Sequence, residues 1–422
     1  MTNKTSTRTI PAPCPATCDV AVIGGGPSGL AAATRLKQLG INSVHVLERE
    51  SEAGGIPRHC GHPPFGMREF KRCLTGPDYA LRLVQRAKKA GVQIHTNTSV
   101  VGLHKAGKLT VTNDMGTSEI TPKCVVISTG VRETPRAPRF VSGERPLGVL
   151  TTGALQSMIY LKKTIPFKRP VIIGTELVSF SALLTCRSGG IKPAAMIEPQ
   201  DRITARSFCR PLPILMGVPL YLNTQIVEII GKERVSAIRL VNAKGLEQTI
   251  TCDGVLFTGQ FTPESSLLRM AHLNVDQQCG GPIVDQFGRC SDPTYFATGN
   301  LLRPVETAGW CWQEGRRTAD YVALGLANEL PAHDQLCNVL SRGPAIKFVV
   351  PQVLSLPLGN HGAKTLQLRF STTTTGRLSV RYGGKTVWSR NISAKPERRV
   401  LIPIPKDIKP IDGASLEINF DD

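Results

Sequence analysis

The stretch GGIPRHCGHPPFG, residues 54–66, concentrates side chains that can do chemistry: one cysteine, one arginine and two histidines among four glycines and three prolines. Its cysteine, Cys60, could serve as a redox-active or nucleophilic thiol. Together with His59 and His62 it could instead bind a metal. A third interpretation is a loop that covers a cofactor, with Arg58, His59 and Cys60 as candidate catalytic or contact residues, and a fourth is a plain surface loop.

Two of these interpretations make demands on the rest of the sequence. A metal site needs further ligands, and neighbours such as His59 and Cys60 rarely bind one ion together from a regular element. No second cluster of ligands stands elsewhere in the chain, so no metal is predicted. Arg58 and His59 would activate Cys60 if they lowered the pKa of its thiol, although a buried, inert thiol is the favoured interpretation.

A strand, a glycine-rich turn, a helix and a second strand are predicted in CDVAVIGGGPSGLAAATRLKQLGINSVHVLERE, residues 18–50. Gly24 permits a tight turn, Gly26 lets backbone amides approach a pyrophosphate, and Gly29 allows the helix to lie close to the strand. The helix N-terminus presents a partial positive charge to the phosphates. Glu48, at the end of the second strand, would accept hydrogen bonds from an adenosine ribose. The sequence therefore predicts a dinucleotide-binding βαβ unit.

The same outline recurs in altered form at residues 169–199, RPVIIGTELVSFSALLTCRSGGIKPAAMIEP. A strand reaches a turn at Gly174, a helix follows, and a second strand ends at Glu198. Glu176 and Ser179 stand where the second and third glycines would fall. Because the negative charge of Glu176 is unfavourable beside a pyrophosphate, binding of NAD(P) or another adenine nucleotide by this second unit is disfavoured.

Composition excludes several classes of protein. No apolar run approaches the length of about 18 residues that crosses a bilayer, so no transmembrane segment is expected. Twelve cysteines without a repeating spacing favour free thiols and a cytoplasmic location. The formal charge of +19 is spread along the chain and aromatic residues make up 5%. This pattern favours anionic cofactors or an acidic partner protein over nucleic acid.

The chain is predicted to divide into an α/β part and a β part. Residues 18–145 and 256–330 would form a discontinuous first nucleotide-binding domain, and residues 146–255 a second, degenerate one. In residues 337–422 apolar and polar side chains alternate at period two, which predicts a small antiparallel β domain, sandwich-like, at the C-terminus. The polar residues 1–17 are expected to form a disordered lead-in.

These pieces, in this order, resemble the two-dinucleotide-binding-domain flavoproteins, the group around glutathione reductase and thioredoxin reductase. The resemblance covers about residues 18–330 and is carried by the glycine motif with Glu48, by two strands that end in Thr-Gly at 129–130 and 258–259, and by TYFATGN. It implies an α/β fold with two Rossmann-like domains, glutathione reductase-like, and FAD bound to the first. The residues then implied to bind FAD are Gly24, Gly26, Pro27, Ser28, Gly29, Glu48, Arg49, Gly55, Thr129, Gly130, Gly299, Asn300 and Thr307.

The resemblance also bears on two details of chemistry. Where that family carries an acid for the ribityl chain of the flavin, this sequence has Asn300, which can bond a hydroxyl without adding charge. Its disulfide reductases need paired thiols, whereas Phe65 stands five residues after Cys60, and residues 187–189, Arg-Ser-Gly, follow Cys186. A dithiol mechanism is therefore not expected.

Within that family, the 54–66 loop and residues 174–196 look more like flavoprotein subunits of multi-component dehydrogenases for opines, hydroxyproline and proline, and of hydrogen cyanide synthase. This implies oxidation of a small amino- or imino-acid-like substrate, with electrons passed to partner flavoprotein and iron–sulfur subunits. The cysteine-rich [2Fe–2S] segment of many such subunits is missing, and only Cys337 stands in that region. Two alternatives remain: an NAD(P)H-dependent flavin reductase of an unknown acceptor, and a non-catalytic nucleotide-binding scaffold subunit.

Overall fold

The expected alternation of strands and helices begins at Thr17. The computed structural model describes residues 14–406, 408–411 and 413–421. Most of the expected lead-in, residues 1–13, lies outside the described residues. None of the helices within the described ranges combines the length and the apolar character that a bilayer crossing needs.

The strands are numbered here in chain order. They are β1 (Thr17–Ile23), β2 (Val44–Leu47), β3 (Gln93–His95), β4 (Ser99–Leu103), β5 (Leu109–Asn113), β6 (Gly116–Ile127), β7 (Val131–Glu133), β8 (Ser142–Gly143), β9 (Val149–Thr151), β10 (Pro170–Ile173), β11 (Ala195–Ile197), β12 (Leu220–Tyr221), β13 (Thr224–Ile230), β14 (Ala237–Asn242), β15 (Glu247–Thr251), β16 (Gly254–Phe257), β17 (Phe261–Pro263), β18 (Tyr295–Ala297), β19 (Leu336–Arg342), β20 (Ile346–Val350), β21 (Val353–Ser355), β22 (Thr365–Phe370), β23 (Thr374–Tyr382), β24 (Lys385–Ala394), β25 (Val400–Pro403) and β26 (Leu416–Asp421).

The α-helices are numbered in the same way. They are α1 (Pro27–Gln38), α2 (Gly76–Lys89), α3 (Thr152–Gln156), α4 (Leu177–Ser188), α5 (Pro211–Leu215), α6 (Ser266–Arg269) and α7 (Ala308–Leu326). A π-helical turn, Ser157–Leu161, continues α3. Short 3-10 turns lie at Ile56–His59, Lys105–Gly107, Ala137–Arg139, Ser207–Cys209 and Gly299–Leu301.

The first sheet has the strand order β3-β2-β1-β6-β5-β4, and β18 pairs with β6 as well. Strands β1, β2, β18 and the second half of β6 run parallel. Their apolar runs are buried on both faces, as parallel strands between covering layers require. Helices α1, α2 and α7 cover one face. Because β18 lies far along the chain, this unit is built from two separate segments.

The second sheet repeats the parallel arrangement in the order β12-β11-β10-β16-β9. A smaller sheet has the order β15-β14-β13-β8, and its strands β13, β14 and β15 fall between β12 and β16 in the sequence. The strands of this unit exceed its expected limits of 146–255, because β8 lies before residue 146 and β16 ends at Phe257. Composition gave no sign of these pairings because they depend on partners distant in the sequence.

The C-terminal part forms two sheets, β21-β19-β26-β23-β24 and β20-β22-β25. Apolar side chains from both sheets, among them Leu368, Phe370 and Ile418, form one buried cluster between them. Most neighbouring strands are antiparallel, as expected, but β19 and β26 pair in parallel. Phe348 and Val350 of β20 belong instead to the core of the first unit, so this domain is packed against the nucleotide-binding fold.

The N-terminus of α7 is held by side chains from the C-terminal β domain. The carboxylate of Glu306, just before α7, accepts hydrogen bonds from Arg369 (3.1 Å) and Gln367 (2.8 Å) and lies 3.5 Å from the Arg399 guanidinium. Arg399 also lies over the ring of Trp310, 3.6 Å from its centroid. The β domain therefore contacts the segment that precedes the longest helix of the first unit.

A buried ion pair forms a second contact between these parts. The Arg289 guanidinium donates to the Asp285 carboxylate (2.7 Å), and the hydroxyl of Ser355 from β21 donates to the same oxygen (2.9 Å). Burial alone would raise the pKa of Asp285, but a hydrogen bond from His333 and the charge of Arg289 hold this pKa below its ordinary value. The ionised carboxylate thus contributes stability above its unfolded pKa of about 3.9, and this stability is lost as the pH falls through the folded pKa.

We expect Asp285→Asn to lower the free energy of unfolding by about 3–5 kcal/mol at neutral pH, because it leaves a buried guanidinium without its counterion. Urea denaturation measures the effect. The matched change Asp320→Asn breaks a more accessible pair with Arg35, whose side chains are 30% (Arg35) and 44% (Asp320) exposed, and should cost less than about 1 kcal/mol. The difference in the free energy of unfolding between wild type and Asp285→Asn should decrease below about pH 4, where the carboxylate becomes protonated. Equal losses for the two variants would show that the buried pair is not special.

Candidate active site

The residues expected to hold FAD lie at one edge of the first sheet. Strands β1, β2, β6 and β18 run parallel and end at Ile23, Leu47, Ile127 and Ala297. Each is followed directly by expected site residues, and the carboxyl ends of parallel strands are the usual place for a bound nucleotide. The structure therefore brings together residues that are up to about 270 positions apart, as the hydrogen bond between Ser28 and Thr298 (3.0 Å) shows.

The glycine-rich turn has the geometry that its sequence predicts. Gly24 has a φ of +97°, in the left-handed region that favours glycine. A Cβ at Gly29 would clash with the carbonyl oxygen of Gly24. Gly26 differs, because the nearest atom to a Cβ there is Cα of Gly55, 3.9 Å away. Pro27 begins α1, and no side chain caps the helix, so its first amides point toward open space beside Gly26.

Glu48 is fixed by backbone amides at the end of β2. Its Oε2 accepts from Gly25 N (2.8 Å) and its Oε1 from Glu50 N (2.9 Å), while the residue is 7% exposed. Each carboxylate oxygen keeps a second lone pair, which suits a ribose hydroxyl. The neighbouring side chain of Arg49 is instead exposed and lies 3.8 Å from Glu50.

Four further expected residues border the same edge. Gly55 crosses the start of α1, where its Cβ would lie 2.8 Å from Cα of Gly26. Gly130 has a φ of +78° and no atom within 4 Å of an added Cβ, while the Thr129 hydroxyl donates to the Glu264 carbonyl (2.8 Å). Thr307 precedes α7 without a side-chain cap. Two uncapped helix N-termini, a backbone cradle and a buried acid together fit a dinucleotide.

The segment after β18 closes on itself. Gly299 has a φ of +74°, and its amide donates to Glu314 Oε2 (3.0 Å). The Asn300 side chain donates to the Glu306 carbonyl (3.0 Å) and accepts from the Glu306 amide (2.7 Å). The amide group expected to bond a ribityl hydroxyl thus holds the turn before α7, and its contact with the flavin stays a prediction.

The second unit repeats several of these contacts. Gly174 has a φ of +111°, as Gly24 has +97°. The Glu198 carboxylate accepts from Gln200 N (3.0 Å) and from the Thr175 hydroxyl, which matches the arrangement at Glu48. The Thr258 hydroxyl donates to the carbonyl of Ile173 (2.8 Å), as the first unit's Ser128 hydroxyl donates to Ile23. The internal repeat therefore extends to individual hydrogen bonds.

Glu176 breaks the repeat at the position equivalent to Gly26. Its carboxylate accepts from the amide of Gln260 (2.8 Å) and lies so close to Gly259 that a Cβ there would clash with it. Burial raises the pKa of Glu176. The side chain thus fills the space at the start of α4 that is open at the start of α1, and a pyrophosphate in the usual position would meet an acidic group there.

Cys60 lies inside the 54–66 loop as a buried thiol. Its S–H donates to Gln156 Oε1 and to the Ile56 carbonyl, each at 3.4 Å. Burial, and then the charge of Glu133, raise the pKa of Cys60 to about 12. Because burial and Glu133 both raise this pKa, the alternative in which Arg58 and His59 activate the thiol is wrong, and the favoured interpretation, a buried thiol, fits the structure. The thiol is protonated at neutral pH, which argues against thiolate chemistry.

The other polar residues of the 54–66 loop have different surroundings. Arg58 pairs with Glu52 (3.0 Å), and His62 is exposed and packs against Phe65. His59 keeps a buried Nδ1 without a hydrogen-bond partner, and burial lowers the pKa of its imidazole. A neutral histidine with a free nitrogen can accept or donate one proton. Among the residues that the structure describes, no group of three or more His, Cys, Asp and Glu could hold a metal.

The loop faces a polar side of α3 and its π-helical continuation, which sequence reasoning missed. Thr152, Gln156 and Tyr160 recur at every fourth position, and this spacing in TTGALQSMIY was the available signal. Gln156 accepts from Cys60, whereas the buried hydroxyls of Thr152 and Tyr160 lack a partner that meets hydrogen-bond geometry. Unsatisfied buried groups and a π-helical turn both occur often at functional sites.

Glu133 was also missed, and it lies between the two nucleotide-binding units. Its carboxylate accepts from Gly153 N (2.8 Å) at the start of α3 and from Gly259 N (3.0 Å) after β16. Burial raises the pKa of Glu133 above its ordinary value. Both Glu133 and His59 approach Gly153, where an added Cβ would lie 3.7 Å from Glu133 Oε2 and 4.0 Å from His59 Cε1. Buried titratable groups with shifted pKa values in one region are candidates for proton transfer. No motif marked this residue, because its partners come from distant segments.

Comparisons with known proteins agree with this geometry. The profile of the family described as "Pyridine nucleotide-disulphide oxidoreductase" matches residues 18–315. An opine oxidase subunit from Agrobacterium tumefaciens (strain Ach5) is 26% identical over 322 residues, which cover 67% of this chain and 61% of that protein. The chain therefore spans less than two thirds of the length of that relative.

Two other proteins illustrate the range of similarity. The ferredoxin–NADP reductase of Ignicoccus hospitalis is 26% identical over 289 residues, which cover 67% of this chain and 90% of that protein. The crystal structure of T. acidophilum thioredoxin reductase has a TM-score of 0.63 at 22% identity and covers 74% of this chain and 99% of its own. The last likeness concerns the fold, which is the two-domain α/β architecture expected from the sequence.

Gly26→Ala tests whether the space beside the start of α1 holds a nucleotide. Gly29→Ala tests whether a side chain can be accommodated where α1 packs against the Gly24 carbonyl. We expect Gly26→Ala to change the free energy of unfolding by less than about 1 kcal/mol and to weaken FAD binding at least about tenfold, because the new methyl group enters the space beside the first amides. Gly29→Ala should destabilise the apoprotein, since its methyl group meets the Gly24 carbonyl. Thermal unfolding and FAD titration measure both effects, and unchanged FAD affinity in Gly26→Ala would contradict the placement.

Cys60→Ser should leave FAD bound and turnover largely intact, because the thiol is protonated and donates only a weak hydrogen bond to Gln156. Flavin absorbance of the purified variant and turnover with a dye acceptor measure the two properties. Cys73→Ser, at an exposed thiol, is the matched control. Complete loss of turnover with the flavin retained would restore the redox-thiol interpretation.

Proposed function

Because the chain belongs to the pyridine nucleotide-disulphide oxidoreductase family, we propose that this FAD-dependent oxidoreductase works as the flavoprotein subunit of a multi-component dehydrogenase. Enzymes of this family bind FAD, which accepts a hydride equivalent from a reduced substrate when it is bound. The proposed substrate is a small amino- or imino-acid-like molecule, and the electrons would pass to partner flavoprotein and iron–sulfur subunits.

The position of Glu176 carries this proposal. A reductase driven by NAD(P)H needs a second pyrophosphate site, and a glycine-rich helix start supplies one. In this chain the carboxylate of Glu176 lies at that helix start, and its acceptor contact with Gln260 N uses an amide of the adjoining turn. Electrons are therefore proposed to come from an organic substrate rather than from a pyridine nucleotide.

The thiols support the same direction. A disulfide reductase needs one thiol to attack the substrate and another to exchange electrons with the flavin. Cys60 is buried with a raised pKa, and its S–H contacts Gln156 and a carbonyl rather than another sulfur. Reduction of a disulfide substrate is thus not proposed, although the fold is shared with disulfide reductases.

The residues around the 54–66 loop supply candidate groups for the reaction. We assign His59 as the first candidate for proton transfer, since its imidazole is neutral and its Nδ1 is free. Glu133, held between the two units, is the second. Arg58 would contribute positive charge near the flavin, although its guanidinium also pairs with Glu52. The expected FAD-binding residues described above hold the cofactor in this proposal.

The similarity to an opine oxidase subunit supports a multi-component enzyme. By its name that relative works within a larger enzyme, and this chain aligns with 61% of its length. The exposed positive charge of the chain is consistent with acidic partners. A second candidate function, an NAD(P)H-dependent flavin reductase, draws support from the similarity to a ferredoxin–NADP reductase.

Anaerobic mixing of the flavin-loaded chain with NADH or NADPH tests the proposal. We expect the visible flavin absorbance to persist with both nucleotides and to bleach with an amino- or imino-acid substrate, after expression together with the neighbouring genes. Bleaching by dithionite is the control for a reducible flavin. Rapid bleaching by NADH or NADPH would favour the second candidate function.

Glu176→Gly should bind NADH more tightly than the parent, because it restores room at the start of α4.

A further inference from the structure

The second nucleotide-binding unit has a strongly basic surface away from the edge described above. Residues 160–220 contain nine Lys and Arg but three Asp and Glu. Of these acids, Glu198 is buried and Glu176 is bonded to the amide of Gln260. The charge that this stretch presents to solvent is therefore almost entirely positive.

Part of this charge lines a cleft of about 960 Å³. The cleft lies at the amino ends of β10, β11 and β16, opposite the carboxyl edge that carries Glu176. Four exposed basic residues line it: Lys168, Arg169, Lys192 and Arg234. The acidic residue of the lining, Asp253, accepts from the backbone amides of Lys168 (2.6 Å) and Arg169 (2.7 Å), so its oxygens are directed at the loop before β10.

The four basic side chains have no acidic partner. None of them lies within ion-pair distance of a carboxylate in the described part of the chain. The Arg234 guanidinium donates to the Pro166 carbonyl (2.7 Å), a neutral acceptor that leaves its charge uncompensated. With four basic residues and one acidic residue in its lining, the cleft carries net positive charge, which concentrates anions from solution. The cleft is thus suited to an anionic ligand.

An apolar surface adjoins the cleft. Phe208, Ile214 and Leu215 around α5 are 72%, 71% and 81% exposed. A smaller cavity of about 370 Å³ is lined by Ile214, Val218, Leu220 and Leu222 together with Arg210, and it shares Gly217 and Pro219 with the basic cleft. Exposed apolar side chains beside charged ones mark interaction surfaces. The two cavities therefore adjoin, one with four basic residues in its lining and the other lined mainly by apolar ones.

We propose that this surface docks an acidic segment of a partner protein, with carboxylates in the basic cleft and apolar side chains on α5. A small anion would use the cleft but has no use for the apolar end. A flat lipid surface would meet α5 but could not enter the cleft. The proposal rests on charge and shape, and it does not depend on the redox reaction proposed above.

Binding of a fluorescein-labelled peptide of Glu-Glu-Leu repeats, followed by fluorescence anisotropy, tests the proposal. We expect saturable binding at low salt that weakens at least about tenfold at 1 M salt, where the screening length is about 3 Å. Lys168→Glu with Lys192→Glu should weaken binding more than about tenfold. Lys88→Glu with Lys89→Glu, on exposed α2 positions with the same change in net charge, should change it less than about twofold.

A third variant addresses the apolar end. Phe208→Ser with Leu215→Ser should weaken binding while its salt dependence stays the same. All variants are compared by thermal unfolding, and because the substituted residues are exposed they should fold like the parent. The readout involves no turnover, so a chain that proves to use NAD(P)H would leave this result unaffected.

Several results would overturn the proposal. These are no saturable binding, equal binding of a Lys-Lys-Leu peptide, or an equal loss in the α2 control. Displacement of the peptide by micromolar pyrophosphate, with Phe208→Ser and Leu215→Ser without effect, would identify a small-anion site instead. Binding to phosphatidylglycerol vesicles that is lost in Lys168→Glu with Lys192→Glu, without peptide binding, would identify a lipid surface.

Discussion

Direct contact between backbones at the start of α1 is the constraint on which the nucleotide-binding unit depends. Gly29 lies against the carbonyl of Gly24, Gly55 crosses Gly26, and Gly315 of α7 lies against the backbone of Ser28. At each place a methyl group would displace backbone rather than a flexible side chain. Three chain segments can meet there only because glycine removes the side chain, and they meet at an edge where the first amides of α1 have no side-chain cap.

The two units show how one position changes the use of a shared fold. Both have an acid at the end of the second strand that accepts from a backbone amide two residues later, and the second donor is the Gly25 amide for Glu48 and the Thr175 hydroxyl for Glu198. Both also have a hydroxyl that braces the first turn. They differ at the residue before the helix: Gly26 leaves the start of α1 open, and Glu176 fills the start of α4 with a carboxylate. The second unit keeps the architecture of a nucleotide site, and its apolar core includes Leu155 of α3.

Local patterns were sufficient to predict the βαβ units, the tight turn at Gly24 and the β character of the C-terminal part. Apolar periodicity and glycine spacing act over a few residues, so they can be read from the sequence. For Cys60 the favoured interpretation, a buried thiol, matches its burial in the structure. The long-range contacts of Cys60 and Glu133 could not be predicted, because these partners lie more than 70 residues away in the sequence. The parallel pairing of β19 with β26 is likewise long-range. The sequence likewise did not reveal that the Asn300 side chain bonds the backbone of Glu306.

The contacts of the β domain with Glu306 and Trp310 have a thermodynamic meaning beyond domain packing. Arg369 and Arg399 can keep their carboxylate partner only while the turn before α7 is formed. That turn also positions Thr307 and the first amides of α7 at the nucleotide edge. If FAD binds at this edge as proposed, a cofactor that orders the turn also favours the pairing of Glu306 with Arg369 and Arg399. Cofactor binding and the stability of the C-terminal sheets would then be linked equilibria joined through one glutamate.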